Sequence, residues 1–190
     1  ANVASNLAAL GCTVQLISVI GGDTAGLKLS SLLDENFAID FQQIIDEGRP
    51  TTTKTRFRAD GQQMLRVDEE VSTPIDEVLQ DRVMKTMLAR VSSYDAIILS
   101  DYAKGCLPPH LIQNLINAAK SASCIIVIDP KLADFNCYRG ADILTPNLAE
   151  LTRAASMYSD DLNHIAAAAS DLAQRHEVDA ILATLSGRGM

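Results

Sequence analysis

Residues 124–151, CIIVIDPKLADFNCYRGADILTPNLAEL, decide how the rest of the chain is read. The apolar run 124–129 ends on Asp129 and is closed by Pro130. A second run, Ile143 and Leu144, ends on Thr145 and Pro146, and Asn147 and Glu150 follow at once. Short β-branched runs closed by turn residues read as buried strands. Working outward, 13–21, 39–45, 96–100 and 179–185 read the same way. Helical spacing fills the gaps. A helix is predicted over 24–36, with Leu29, Leu32 and Leu33 on one side. Another runs from Pro74 to about Val91, carrying Ile75, Leu79, Val83, Met87 and Val91. A third is opened by Pro108 and Pro109 and runs to about Ala122, and a fourth covers 161–176. Strands alternating with helices predict a mostly parallel sheet covered on both faces. The stretch 51–69 differs: it is rich in Thr, with Asp60 and Gly61 at its centre, and predicts a hairpin.

The chain has 190 residues and a formal net charge of −8. That charge argues against nucleic acid as main partner, because phosphate-backbone binding needs a basic face. It leaves room for a small phosphorylated ligand held by a few local cations. No apolar run approaches the ~20 residues of a membrane span. The start, ANVASNLAAL, lacks a basic leader, and a cytoplasmic protein is expected. Cys12, Cys106, Cys124 and Cys137 form no C-x-x-C pair, and the three histidines are scattered. Reduced, buried cysteines are expected rather than a zinc site.

In parallel α/β sheets, ligands sit at the carboxyl ends of the strands, so the loops there carry the functional signal. GGDTAG at 21–26 fits neither phosphate-loop motif: Leu27 and Lys28 fall out of step with one, and Asp23 replaces a glycine of the other. Asp23 reads either as a helix cap or as an acceptor for sugar hydroxyls. SDYAKG at 100–105 carries Asp101 and Lys104, either a loop ion pair or substrate-facing groups. DPK at 129–131 places Lys131 as a mobile cation over an anionic ligand, or is simply a turn. Asn147 and Glu150, three apart at a helix start, form a variant capping box. The same pair can hold Mg²⁺ through water beside nucleotide phosphates. In the hairpin, Lys54 and Arg56 share a face, as do Arg66 and Asp68. These residues either present cations to a ligand or protect an exposed edge.

Together these loops resemble the ribokinase-like (PfkB-type) carbohydrate kinases. The likeness rests on N-x-x-E at 147–150, on TLSGRG at 184–189 beside that family's T-L-G-x-x-G loop, and on the Asn-containing first helix. Within the family, TTTKTRF with QQMLRVDEE, LSDYAKG, and 128–151 are similar to the D-glycero-β-D-manno-heptose 7-phosphate kinases, the kinase domains of bifunctional ADP-heptose synthesis proteins. The resemblance implies a three-layer α/β/α sandwich with a small β-lid, here a single incomplete kinase domain over 1–190 with the lid at about 39–70. It implies transfer from ATP, with Mg²⁺, to the anomeric hydroxyl of heptose 7-phosphate, for the lipopolysaccharide inner core.

Carried over by motif, Asn2 and Asp23 contact the sugar. Lys54, Arg56, Arg66 and Asp68 lie at the lid near the sugar or its phosphate, and Asp101 and Lys104 line the substrate side. Lys131 faces phosphates, Asn147 and Glu150 order Mg²⁺, and Thr184, Ser186 and Gly189 hold the nucleotide. The family's G-A-G-D segment, with its general-base Asp, is expected beyond Met190, so no catalytic base is assigned here; the first strand is likewise expected outside the chain. Leu132 and Gly187 depart from the family pattern. A homodimer through the lid and a fused nucleotidyltransferase domain are expected. A ribokinase-like kinase for another sugar or a nucleoside, and a non-catalytic nucleotide- or sugar-phosphate-binding protein, stay open as alternatives.

Overall fold

Apolar runs and their turn residues set the elements of the computed structural model, which describes residues 2–35 and 38–190. The chain divides into two units. The first comprises Ala1–Met87 with Lys104–Cys106, the second Leu88–Ala103 with Leu107–Met190.

The first unit begins with helix α1 (Asn2–Ala9), strand β1 (Val14–Gly21), helix α2 (Thr24–Asp34) and strand β2 (Ile39–Asp46). β1 and β2 pair in parallel from Val14 opposite Ile39 to Gly21 opposite Asp46, with α2 as the crossover. Ala4, Leu33 and Ile39 form a small core, with Val14, Leu16, Leu29 and Phe41 packed on it. Leu29 and Leu33 are one turn apart and face inward, whereas Leu32 points to solvent at 56% exposure. The end of the predicted helix at Asn36 lies outside the described residues.

The hairpin forms as predicted, from β3 (Thr53–Ala59) and β4 (Gln62–Glu69). Its two-residue turn holds Asp60 at φ 48° and Gly61 at φ 81°, the left-handed pair that an Asp-Gly turn supplies. Helix α3 (Glu77–Leu88) starts three residues later than Pro74 suggested. Asp76 accepts the Leu79 N–H at 2.8 Å and sets the start instead. The stripe Ile75, Leu79, Val83 and Met87 is buried, but Val91 falls in a separate 3-10 turn, Val91–Ser93.

The second unit is built on a parallel sheet of β5 (Ala96–Ser100), β6 (Ile125–Asp129), β7 (Ile143–Leu144) and β8 (Ala180–Ile181), in that order. Helix α4 (Pro109–Ser121) joins β5 to β6, α5 (Leu148–Ala154) follows β7, and α6 (Leu162–Arg175) precedes β8. Leu111, Ile112, Leu115, Ile116 and Ala119 make the buried stripe of α4, and Ile126, Ile128, Leu144 and Leu151 are each fully covered. Burying such a side chain contributes about 1.5–3 kcal/mol. β7 is the short run Ile143–Leu144 that the sequence shows, whereas β8 is much shorter than 179–185 suggested. Pro146 has no N–H to extend the ladder, and Asn147 turns into α5. Pairing survives beyond them only as a single bridge between Asn147 and Thr184. Among the four cysteines, all free, only Cys124 is buried and Cys12 is exposed. The burial expected of Cys12, Cys106 and Cys137 is not observed: each lies in a loop or turn that leaves it wholly or partly exposed.

Candidate active site

Parallel register aligns the strand ends of the second unit. Ser100 lies opposite Asp129 and Ile128 opposite Leu144. The Asp101 N–H reaches the Asp129 carbonyl at 3.1 Å, and the Thr145 N–H reaches that of Ile128 at 2.9 Å. Asp101, Asp129, Thr145 and Asn147 therefore follow the sheet along one edge.

At that edge the capping box closes. Asn147 Oδ1 accepts the Glu150 N–H at 3.0 Å, and Glu150 Oε2 accepts the Asn147 N–H at 2.9 Å. Glu150 Oε1 takes the Lys131 ammonium at 2.9 Å. This carboxylate is only 7% exposed, while its cation stays half-exposed. The hydrogen bond to Glu150 raises the Lys131 pKa. Thr184 is brought alongside, its carbonyl accepting the Leu148 N–H at 3.1 Å and its N–H donating to Pro146 at 2.9 Å. Lys131, Asn147, Glu150 and Thr184 thus converge.

Asp129 is the member the sequence reading passed over as a turn residue. Burial, then the Glu150 charge, push its carboxyl above the usual range, and Lys131 opposes them. A strand-end carboxylate held at that cost beside another charge is a candidate functional group. The signal was present in its position, last in an apolar strand and two residues before a lysine.

Asn147 and Glu150 suit Mg²⁺ only through water. Both are already joined to each other's backbone, and no group of three or more His, Cys, Asp or Glu able to hold a metal ion occurs among the described residues. The half-exposed ammonium and the neighbouring Asp129 and Glu150 charges would fit a role in which the carboxylates orient water on the ion.

Beyond Thr184 the chain makes a 3-10 turn, Ser186–Arg188, closed by the Leu185 N–H on the Gly189 carbonyl at 2.8 Å. Gly189 sits at φ 84°, ψ −138°, a region only glycine occupies readily. Ser186, standing where the family motif has glycine, is left-handed at φ 56°. Gly187 is not in that region, and a Cβ there would meet nothing within 4 Å. Replacing Ser186 by Gly is therefore expected to stabilise the fold by about 0.5–1 kcal/mol, read as a shift in the denaturant midpoint. Leu132 also needs no glycine: its φ is not positive, and its N–H is held by the Tyr138 hydroxyl at 3.0 Å.

In the first unit, Asp23 is the cap of α2. Its Oδ1 accepts the Gly26 N–H and its Oδ2 the Thr51 N–H, both at 2.7 Å. The Thr51 bond leads in holding its pKa down. Asn2, at the start of α1, is exposed.

The hairpin places Lys54 opposite Asp68 and Arg56 directly opposite Arg66. Lys54 Nζ pairs with Asp68 at 2.9 Å and Glu70 at 3.1 Å, Arg66 pairs with Asp68, and Lys104 pairs with Glu70. These contacts raise the Lys54 pKa, with Asp68 leading, and lower that of Glu70, with Lys104 leading. Three cations share these two carboxylates, and Arg56 carries no ion pair among the described residues. Like charges directly opposite on a hairpin are destabilising, and Asp68 offsets part of that repulsion through Arg66. The ion pair expected of Asp101 and Lys104 gives way to other partners: Lys104 takes Glu70, and Asp101 takes the Tyr138 hydroxyl.

The chain matches the pfkB family carbohydrate kinases over residues 1–190 and belongs to that family. It is 38% identical over 191 residues to the bifunctional protein HldE of Rhodopseudomonas palustris (strain BisB18), covering all of this chain and 39% of that protein. It is 39% identical over 190 residues to HldE of Citrifermentans bemidjiense, with the same coverage. The chain thus spans 39% of the length of these curated relatives. Its fold is that of Escherichia coli phosphofructokinase-2 in its tetrameric inhibited form (TM-score 0.73, 21% identity, 97% of this chain and 60% of that one). It is equally that of Arabidopsis thaliana ribokinase complexed with ribose and ATP (TM-score 0.73, 20% identity, 97% and 59%). The α/β ribokinase-like architecture expected from the sequence is the one observed.

Proposed function

We propose that the intact protein is an ATP-dependent sugar kinase that phosphorylates the anomeric hydroxyl of D-glycero-β-D-manno-heptose 7-phosphate. The observation that carries the reading is the convergence of Lys131, Asn147, Glu150 and Thr184 at the strand ends in a chain of the pfkB family. Phosphoryl transfer depends mostly on positioning and charge neutralisation, and this edge offers both. Lys131 would draw a phosphate oxygen toward the edge, Glu150 and Asp129 would order water around Mg²⁺, and the 184–189 turn would offer the nucleotide the Ser186 and Gly187 amides, since those of Thr184, Leu185, Arg188 and Gly189 are already engaged. Mg²⁺, when bound, neutralises charge developing on the transferred group. Asp23 and Asn2 are proposed for sugar hydroxyls. Both units are proposed to belong to one kinase domain, fused in the intact protein to a nucleotidyltransferase, as the bifunctional relatives support. A cytoplasmic location accords with these substrates.

The phosphorylated acceptor is favoured by the hairpin. Arg56, without an ion pair among the described residues and directly opposite Arg66, which Asp68 already pairs, suits the 7-phosphate, because a guanidinium fork binds phosphate in bidentate fashion. Arg56→Ala and Arg66→Ala are each expected to raise KM for the sugar phosphate by about 10- to 100-fold, the equivalent of ~1.4–2.7 kcal/mol. KM for ATP should move little, and initial-rate kinetics separate the two. The opposite face of the hairpin carries Phe57, Leu65 and Val67 at 52%, 55% and 48% exposure. An exposed apolar ribbon of this kind favours a homodimer through the lid.

The test is ADP release by the full-length protein offered heptose 7-phosphate, fructose 6-phosphate, ribose and a nucleoside in parallel. Turnover restricted to the heptose supports the proposal. Turnover on another acceptor moves the assignment within the family, and silence on all four favours a binding protein.

A further inference from the structure

The kinase reading gives the buried hydroxyl of Tyr138 no task. Tyr138 ends the 3-10 turn Phe135–Tyr138 and has 0% exposure. Its hydroxyl accepts the N–H groups of Lys131 and Leu132, each at 3.0 Å, and donates to Asp101 Oδ2 at 2.7 Å. A phenol offers one donor and two acceptor positions, and all three are used. The ring is pinned edge-on by Phe135 at 5.8 Å, and Phe135 in turn lies 6.2 Å from the His176 ring. The other Asp101 oxygen accepts the Ala103 N–H at 2.8 Å, so this buried carboxylate depends on Tyr138 for half of its partners.

A phenylalanine would fill the same space. The hydroxyl is therefore not there for packing, and its removal would orphan two adjacent amides and one oxygen of a buried carboxylate. The residue whose backbone it holds, Lys131, is the one whose ammonium lies 2.9 Å from Glu150. We infer that Tyr138 is a positioning residue for the proposed phosphoryl transfer: its hydroxyl fixes residues 131 and 132 against Asp101, so that the Lys131 ammonium is presented beside Glu150. This inference rests on the kinase reading for its role in transfer, and on geometry alone for its hold on the loop.

The test uses Tyr138→Phe in the full-length protein. Hydrogen exchange at the Lys131 and Leu132 amides is expected to quicken at least about tenfold, as open amides do, with Ile126 and Ile128 unchanged. The kcat/KM for ATP is expected to fall about 10- to 100-fold, the size typical of a lost supporting contact. Lys131→Met should fall further, and the double variant should be no slower than Lys131→Met, because both act through one side chain. Unchanged exchange at 131 and 132 overturns the inference whatever the activity. Additive losses, with faster exchange throughout β6, also overturn it, since they would mark a general loosening of the core. A wild-type protein silent on every sugar, with faster exchange in the variant, overturns the role in transfer and upholds the hold on the loop.

Discussion

Replacing Glu150 by Gln is expected to lower turnover by about 10- to 100-fold or more, the loss typical when a group supporting a metal or its water is neutralised. The side chain caps α5 and anchors Lys131, and in the proposed reaction it would also carry charge toward the phosphates. Gln retains an acceptor for the Asn147 N–H but drops the charge. Stability should therefore fall by no more than about 1 kcal/mol, the worth of a helix cap, while activity falls much further. Asp129→Asn should separate the two effects more sharply. Its carboxyl titrates above the usual range in the fold, chiefly through burial and then the Glu150 charge. A carboxyl with a raised folded pKa costs stability as pH climbs from the unfolded value through the folded one, and the cost persists at neutral pH. Asn cannot ionise, so the variant should be more stable than wild type at pH 7, less so near pH 4, and slower as an enzyme. Thermal midpoints at the two pH values, beside initial rates, check both signs. A variant less stable at pH 7 would mean that Asp129 is structural.

Gly105→Ala is expected to be the most damaging single change to the fold. Gly105 sits at φ 76°, and a Cβ there would fall 1.9 Å from the Thr73 carbonyl oxygen. The same backbone is held from the other side, since the Gly105 carbonyl accepts the Ile75 N–H at 3.0 Å. Arg49 adds to the lock, its guanidinium donating to the carbonyls of Lys104 at 3.1 Å and Thr73 at 2.8 Å. Left-handed backbone costs a residue with a Cβ about 1–2 kcal/mol, and overpacking adds about 1–3. A loss of about 2–5 kcal/mol should appear in chemical denaturation. Because Lys104 is the neighbouring residue, KM for the sugar phosphate should rise in any folded variant. A near-neutral result would mean that this loop moves aside freely, and that Lys104 is not held at Glu70 by it.

How far the sequence disclosed this arrangement depends on what each residue's signal was. Long apolar runs, the Asp-Gly turn at 60–61 and the Pro108–Pro109 helix start were legible because local chemistry fixes them. Asn147 and Glu150 were legible as a cap because spacing of three is itself the geometry. The brevity of β8 was not, since it follows from where Pro146 interrupts pairing with a distant segment. Nor did the local sequence foretell that Leu32 would face solvent, which depends on what α2 packs against. Tyr138 could not be found from spacing at all: its partners lie 6, 7 and 37 residues away, and only the fold gathers them. Asp129 was visible as the end of a strand, but its charge environment arises from Glu150 and Lys131, which the fold sets beside it.

The most direct test of the central claim is the position of the new phosphate. The full-length protein would be incubated with ATP, Mg²⁺ and heptose 7-phosphate, and the product read by proton–phosphorus correlation. The account predicts a second phosphorus resonance coupled to the anomeric proton, with the original 7-phosphate retained. Phosphate appearing on any other carbon, or ATP remaining intact with the heptose unchanged, would contradict it.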